Sequence, residues 1–258
     1  MGPTTPDRRV AAILAELSSL GSEARRAGMA RYGINVERAF GVSVYELRKL
    51  AERLGTDHDL ARALWETGNH EARLLAVFVD DPAQVTPQQM EAWAADFDSW
   101  DVCDQAATSL FDLTPHAWGQ AAEWVRRDEE WVKRAGFALM AGLAVHDKGA
   151  PDEAFAQLLP LIEDRAFDPR PYAKKAANWA LRNIGKRNRA LNEAAVACAE
   201  RIRAEANRRA GGDRGGDPGA RAARWVASDA LRELTSERVL SRLRDKEAKT
   251  YPRSTRPR

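Results

Sequence analysis

Cysteine is scarce in this chain of 258 residues, which contains only Cys103 and Cys198. Both lie in segments with helical periodicity, so we interpret them as reduced core or near-core residues rather than ligands. The chain also lacks any apolar run near the roughly 18 residues of a membrane span, and its first residues, MGPTTPDRRV, show no signal peptide. We therefore expect a soluble, cytoplasmic protein that needs neither a disulfide nor a metal nor a cofactor.

Familiar catalytic motifs are missing as well. The segment NHEARLL lacks the second histidine of a zinc-binding helix, and FGVSV lacks the final glycine of a nucleophile elbow. The glycine-rich segment GGDRGGDPGA has neither the lysine nor the hydroxyl residue of a phosphate-binding loop. These absences weaken metal-dependent, serine-hydrolase and nucleotide-hydrolysing functions.

Strand-like alternation of β-branched residues is absent, while apolar residues recur at helical spacing almost throughout the chain. Ser43 with Glu46 forms a capping box, Pro87 and Pro115 follow threonine caps, and Gly55 is a helix stop. The pattern predicts an all-α protein. We place its helices at 8–28, 44–54, 58–66, 70–79, 87–97, 100–113, 116–127, 130–145, 152–163, 171–185, 190–209 and 220–246.

Many short helices joined by short turns predict stacked helical pairs of the HEAT or armadillo type, in which one helix of each pair lines a concave face. No clean sequence period is visible, so the expected fold is a curved solenoid of degenerate HEAT-like repeats. The predicted organisation is a repeat domain at 1–210, a glycine-rich linker at 211–220, a basic helix at 221–247 and a disordered tail at 248–258.

The net charge of +2 conceals an uneven distribution of charge along the chain. Residues 1–200 carry 24 lysines and arginines against 30 acids, whereas residues 201–258 carry 16 against 8. Between Arg165 and Arg189 there are eight cationic residues and a single acid, Asp168. Such clustering suits a polyanion-binding surface, although a charge run is also typical of a solvated helix face.

Trp100 and Asp104 lie one helical turn apart in FDSWDVCDQ, and Arg134 follows on another predicted helix in EEWVKRAGF. Trp100 could instead fill the core, with Asp104 favouring the dipole at a helix start. Arg134 could likewise be an ion-pair partner of the acids at 128–130. Each of these residues alone admits both interpretations.

A second tryptophan, Trp179, lies among cations in YAKKAANWALRNIGK. The spacing of Lys175, Trp179, Arg182 and Lys186 places all four on one helix face. A tryptophan within a cationic stripe is typical of a binding surface, although lysine stems can also cover the apolar face of a structural tryptophan.

Taken in order, these stretches resemble the DNA alkylation repair glycosylases built of HEAT-like repeats. FDSWDVCD carries the tryptophan and the acid four residues later, EEWVKRAGFAL the arginine, and YAKKAANWALRNIGK the second tryptophan with an arginine three residues on. The resemblance covers most of residues 10–205. An earlier stretch, MARYGINVERAFGVSVYELRKLA, is similar to the family's N-terminal region and makes Tyr32 a further candidate for a DNA contact.

The resemblance implies a monofunctional DNA glycosylase that hydrolyses the N-glycosidic bond of N3- and N7-alkylated purines in duplex DNA without flipping the base. An alkylated purine is already cationic, so such an enzyme mainly stabilises the positive charge that develops on the sugar. By resemblance, Asp104 faces the sugar and positions water, while Trp100 and Trp179 flank the deoxyribose.

The same resemblance implies that four cationic residues contact DNA phosphates, namely Arg134, Arg182, Lys175 and Lys186. The implied partner is double-stranded DNA, bound by a monomer, with no membrane or metal involved. This hypothesis requires both tryptophans, Asp104 and Arg134 to converge on the concave face.

Two alternatives remain open. A non-catalytic helical-repeat scaffold for nucleic acid or an acidic protein predicts that Trp100 and Asp104 are buried and far from Trp179. A glycosylase for bulky adducts, conferring self-resistance to a DNA-alkylating natural product, keeps the chemistry and changes the lesion.

Overall fold

The computed structural model of the chain describes residues 5–210 and 216–250, and every regular element in these two ranges is a helix. The predicted all-α class is therefore confirmed. The first five residues of the predicted linker, 211–215, and the end of the predicted tail, 251–258, lie outside the described residues. No helix within the described ranges is both long and apolar enough to cross a membrane.

The helices fall into two units, Met1–Gln120 and Ala121–Arg258, and the boundary lies within α8 (Ala117–Trp124). It falls inside the region that we predicted as one repeat domain. The preceding helices of the first unit are α1 (Thr5–Leu20), α2 (Glu23–Arg31), α3 (Val44–Leu54), α4 (His58–Glu66), α5 (His70–Val79), α6 (Pro87–Ala95) and α7 (Trp100–Ser109), followed by a 3-10 turn (Phe111–Leu113).

The second unit continues from α8. Its further helices are α9 (Glu130–His146), α10 (Asp152–Ala156), α11 (Leu159–Arg165), α12 (Pro171–Gly185), α13 (Arg189–Ala210), α14 (Pro218–Leu234) and α15 (Glu237–Thr250).

Capping residues set several helix ends where the sequence predicts them. Ser43 Oγ accepts the backbone N–H of Glu46 (3.3 Å) at the start of α3, and Thr86 Oγ1 accepts that of Gln89 (3.2 Å) at the start of α6. Gly55 ends α3 with a φ of 73°, in the left-handed region that favours glycine. The predicted bounds of α3, α4, α5 and α12 are confirmed to the residue.

The prediction of one helix over 8–28 is wrong, because the chain breaks between α1 and α2. A Cβ on Gly21 would lie 2.7 Å from the carbonyl oxygen of Phe40, so the backbones meet closely there. Ser22 then starts a new helix, accepting the N–H of Arg25 at its Oγ (3.4 Å) while its own N–H bonds Phe40 O (3.0 Å).

Two more predicted helices, 152–163 and 220–246, are each divided in two. Pro160 lies in the first turn of α11, where its missing N–H costs no hydrogen bond. The basic C-terminal helix begins at Pro218, inside the predicted linker, and is interrupted at Thr235 and Ser236. Ser236 Oγ accepts the N–H of Val239 (3.4 Å) and so starts α15.

Three predicted helices are also shorter than expected. The 87–97 helix ends at Ala95, the 100–113 helix ends at Ser109 before the 3-10 turn, and the 116–127 helix covers only Ala117–Trp124.

The first unit is built around α5, which packs against α3, α4 and α7. In its core Trp65 and Trp93 stack with their ring centroids 4.0 Å apart and nearly parallel, and Phe97 meets Trp65 edge-on. The Trp65 Nε1–H donates to Asp96 Oδ2 (2.9 Å), so the buried indole retains a hydrogen bond.

A fully buried carboxylate in α5 holds the loop before α3. Glu71 accepts the backbone N–H groups of Phe40 (2.8 Å), Gly41 (2.7 Å) and Val42 (3.2 Å). These three bonds compensate the carboxylate for its removal from water. Glu71, in the segment that lacks a zinc motif, therefore has a structural role.

The second unit is built around α12, which packs against α9, α13 and α14. Alanines line much of its buried side, and the α9 side chains from Val132 to Ala144 are buried. At its end, a Cβ on Gly185 would lie 2.7 Å from Leu234 Cδ2, so only glycine lets α12 approach α14 this closely. This packing fixes which face of α12 remains accessible.

Candidate nucleic-acid interface

One side of α7 is buried and the other is partly accessible. The buried side consists of Val102, Cys103, Ala106 and Ala107. Trp100, Asp104 and Thr108 follow one another at intervals of four residues on the other side, and all three are half-buried. The tryptophan and the acid therefore share an accessible helix face, and the burial predicted by the scaffold alternative is not observed.

Trp100 is held by the loop that follows α2. Its indole Nε1–H donates to the backbone carbonyl of Tyr32 (3.0 Å), and the Tyr32 side chain is 78% exposed. The same loop is fastened by Asn35, whose N–H bonds Ser99 Oγ (2.7 Å) and whose Nδ2 bonds Asp98 Oδ2 (2.8 Å). The first unit thus brings Tyr32, the weakest of the predicted contacts, beside Trp100.

A buried histidine fastens the start of α7 to α5. His70 Nε2 lies 3.0 Å from Asp101 Oδ2, and the His70 side chain is almost fully buried. Burial by itself would lower the pKa of His70, but the hydrogen bond and charge of Asp101 outweigh it and raise the pKa above its usual 6.5. The pair therefore favours a protonated imidazole that locks the first turn of α7.

The charge around α7 is negative. Asp98, Asp101 and Asp104 lie within seven residues, and residues 1–120 carry 18 acids against 11 lysines and arginines. Such a surface stabilises a cation and repels a phosphate. The α7 face is therefore suited to contact a positively charged group, with the polyanion held from elsewhere.

The accessible face of α12 carries the other tryptophan. Trp179, Arg182 and Lys186 are half-buried, and Lys175 is exposed. The side chain of Lys175 has no ion-pair partner among the described residues, while the neighbouring Lys174 Nζ lies 5.0 Å from the ring centroid of Trp225. The predicted common face of these four residues is confirmed.

This face is less cationic than the sequence suggests, because α14 places an acid against it. Glu233 accepts hydrogen bonds from Arg182 Nη1 and from Lys186 Nζ (3.1 Å), and Asp229 Oδ2 lies 3.9 Å from Arg182 Nε. Partial burial alone would raise the pKa of Glu233, but the bonds from Lys186 and Arg182 outweigh it and lower that pKa. Two of the four predicted phosphate contacts are thus already ion-paired.

Arg134, on α9, lies against the first turn of α12 and is only 6% exposed. Its Nη1 donates to the carbonyl of Tyr172 (3.0 Å), and Glu130 Oε1 accepts the Tyr172 N–H (3.1 Å). The rings of Trp131 and Tyr172 lie 4.6 Å apart between centroids. Arg134 therefore anchors the first turn of α12.

The single acid of the basic stretch also has a structural role. Asp168 bonds the buried Lys133 Nζ (2.8 Å) and Arg170 Nη2 (2.5 Å). Burial would raise the pKa of Asp168, but the bonds from Arg170 and Lys133 hold it far below its usual value. Part of the predicted basic surface is therefore neutralised where the loop before α12 meets α9.

Each unit thus assembles part of the predicted site. Tyr32, Trp100 and Asp104 lie together in the first unit, and the remaining five residues lie along α9 and α12 in the second. Convergence of the two sets on one surface stays a prediction. In the described residues, no group of three or more histidines, cysteines or acids could hold a metal ion.

The residues that modify these faces, chiefly His70, Asp101 and Glu233, are not predicted as functional from the sequence. The only sequence signal for them was an acid or histidine inside an amphipathic helix. The partners of His70 and Glu233 lie 31 and up to 51 residues away along the chain, so pairwise contact could not be inferred from local spacing.

The fold has a counterpart among solved structures. A protein from a new family related to the HEAT-like repeat DNA glycosylases, with affinity for branched DNA structures, aligns with a TM-score of 0.67 at 22% identity. The alignment covers 74% of this chain and 82% of that protein. The architecture is therefore that of the HEAT-like repeat glycosylase fold, as predicted.

Residues 13–234 match the sequence profile of the DNA alkylation repair enzymes, and the chain belongs to this family. Two uncharacterized proteins, from Listeria monocytogenes and Listeria innocua, are each 25% identical to it over 103 residues. These matches cover 39% of this chain and 46% of each relative, so the chain spans about half the length of the curated relatives that it matches.

Proposed function

We propose that this protein is a DNA glycosylase that removes N3- and N7-alkylated purines from duplex DNA by hydrolysing the N-glycosidic bond. The observation that carries the proposal is the accessible face of α7, where Trp100 and Asp104 lie one turn apart in an acidic surrounding. Membership of the DNA alkylation repair enzymes supports it.

In this mechanism Asp104 stabilises the positive charge that develops on the deoxyribose as the base departs. An alkylated purine is cationic before the bond breaks and leaves as a neutral base, so the leaving group needs no proton. Positive charge then moves to the deoxyribose, and a carboxylate aimed at the sugar stabilises that transition state. Asp104 also orients the water that attacks C1′, and the proton released in forming the sugar hydroxyl passes to solvent.

The aromatic rings hold the sugar in place. The edge of Trp100 is fixed by its bond to Tyr32 O, which leaves its ring as a rigid wall beside Asp104. Trp179 supplies the second wall, and both rings attract the cationic sugar and exclude bulk water. The exposed Tyr32 ring contacts the DNA next to the lesion.

The cations of α12 and α9 hold the DNA backbone. Lys175 is the exposed member of the set and contacts a phosphate directly. Arg182 and Lys186 do so in competition with Glu233. Arg134 is buried but always charged, so it adds positive potential at the start of this face.

The decisive experiment measures base release from duplex oligonucleotides that contain N7-methylguanine, N3-methyladenine or a bulky N7 adduct. Asp104→Asn keeps the size of the side chain and removes its charge, so we expect excision to fall by about 10²- to 10³-fold with duplex binding retained. The exposed Asp59→Asn, on α4, is the charge-matched control and should excise normally. Equal excision by wild type and Asp104→Asn would remove Asp104 from the mechanism.

A second candidate is a DNA-structure-binding protein without excision activity. Two observations favour it: the aligned structure belongs to a family with affinity for branched DNA, and Glu233 neutralises two of the predicted phosphate contacts. It predicts no base release from any lesion, together with tighter binding to a four-way junction than to a duplex of the same length. Release of any alkylated base by wild type, lost in Asp104→Asn, would exclude it.

A further inference from the structure

A wide groove lies in the second unit at the C-terminal end of α12, and Lys186 is part of its lining. It is bounded by the ends of α9 and α12 and by α15, and its volume is about 1060 Å³. Seven lysines and arginines line it, against three acids, Asp152, Glu233 and Glu247. The groove therefore carries an excess of positive charge.

α15 closes the groove by binding across the end of α12. Lys246 Nζ donates to the carbonyls of Lys186 (2.9 Å) and Arg187 (3.2 Å), and Val239 and Leu243 form a buried side of α15 itself. On the other wall Arg187 Nη1 donates to Ala144 O (2.9 Å) at the end of α9. These bonds satisfy helix-end carbonyls whose negative dipoles would otherwise repel an anion.

Several of the cations have no acidic partner. Neither Lys148 nor Arg242 forms an ion pair with any described residue, and Arg238 reaches Glu233 only at 4.0 Å. Partial desolvation lowers the pKa of Lys246, and the positive charges of Lys148, Arg187 and Arg242 lower it further. The positive charges thus repel one another, and an anion in the groove would relieve that repulsion.

The lining also indicates which part of a nucleic acid fits. Its apolar members are aliphatic, such as Val145 and Leu243, and no aromatic ring occurs among the described residues that line it. Single-strand binding sites use such rings to stack bases. A groove lined by cations and without an aromatic ring binds the phosphates of a nucleic acid and does not recognise its bases.

We propose that this groove binds the phosphodiester backbone of a DNA duplex and continues the α12 face, with which it shares Lys186 and Glu233, along α15. Lys148 on one wall and Arg242 on the other contact the phosphates directly. α15 lies beyond the end of the family match at residue 234, so the site is a property of this chain's C-terminal helix and does not depend on excision.

The test compares wild type with Lys148→Ala/Arg242→Ala, using undamaged duplex DNA, a single strand of the same length and polyglutamate across 50 to 200 mM salt. Loss of two phosphate contacts should make the slope of log affinity against log salt less steep by about 1.8 for the duplex. Over this fourfold rise in salt, wild type should therefore lose roughly twelvefold more duplex affinity than the variant.

Arg203→Ala/Arg224→Ala is the matched control, because it removes the same charge from exposed positions on α13 and α14 outside the groove lining. We expect it to keep the wild-type slope, and Lys148→Arg/Arg242→Lys to restore it. Unfolding temperatures of all variants show whether a loss is due to misfolding.

An unchanged duplex slope in Lys148→Ala/Arg242→Ala would overturn the proposal. An equal or larger loss for the single strand or for polyglutamate would also overturn it, in favour of a different acidic partner. If wild type releases no base but Lys148→Ala/Arg242→Ala changes the salt slope, only the glycosylase function is rejected. If wild type releases base normally and the variant keeps the wild-type salt slope, only DNA binding by the groove is rejected.

Discussion

Replacing Glu233 with glutamine separates a structural from a DNA-binding role for the cations on α12. The substitution keeps an oxygen that accepts one hydrogen bond and removes the negative charge that faces Arg182 and Lys186. If these two cations bind phosphates, their release from Glu233 strengthens DNA binding. If they only stabilise the packing of α14 on α12, DNA binding stays unchanged.

The structure sets the expected magnitudes. Each additional phosphate contact steepens the salt slope by about 0.9, so two released cations steepen it by up to roughly 1.8. Glu233 is 17% exposed at its side chain and its partners 28% and 34%, so water reaches the cations after the change. We therefore expect a stability loss of only about 1–2 kcal/mol.

The assay is a salt titration of duplex binding by wild type, Glu233→Gln and Glu237→Gln, together with chemical unfolding of each. Glu237 is an exposed acid at the start of α15 that pairs with Arg244, so Glu237→Gln controls both for the change in net charge and for the release of a cation outside α12. Steeper salt dependence in Glu233→Gln alone supports phosphate binding by Arg182 and Lys186. A stability loss with the wild-type slope would refute it and leave Lys175 as the direct phosphate contact on α12.

Two further predictions concern the tryptophans and the histidine. In a double-mutant cycle of base release, Trp100→Ala and Trp179→Ala should couple by about 0.5–3 kcal/mol if both rings contact one deoxyribose, whereas additive losses would argue against a shared site. Because the folded protein raises the pKa of His70, its pairing with Asp101 stabilises the fold below pH 6.5 and this contribution is lost as pH rises through the folded-state pKa. Unfolding of wild type should therefore show a loss of stability above pH 6.5 that His70→Gln lacks, and parallel pH profiles would contradict this role.

Local sequence signals were sufficient wherever a few neighbouring residues determine the structure. The caps Ser43 and Thr86 and the stop Gly55 set helix ends, because a side-chain oxygen or a left-handed glycine acts within one turn. The i, i+4 spacing of Trp100 and Asp104 likewise placed them on one face of α7. The same local rules failed at Gly21, where the close approach of Phe40 O, a contact between separate segments, breaks the helix.

The sequence by itself determined the all-α class, the helix periodicity and which residues share a helix face, since these follow from spacing along one chain segment. Only the tertiary structure decided which of the predicted cationic residues are available to bind a ligand and which already have partners within the protein. It placed Glu233 against Arg182 and Lys186, buried Arg134 against the Tyr172 carbonyl, and left Lys175 exposed. The reason is that electrostatic pairing depends on distance in space, and partners up to 51 residues apart meet only when the helices pack.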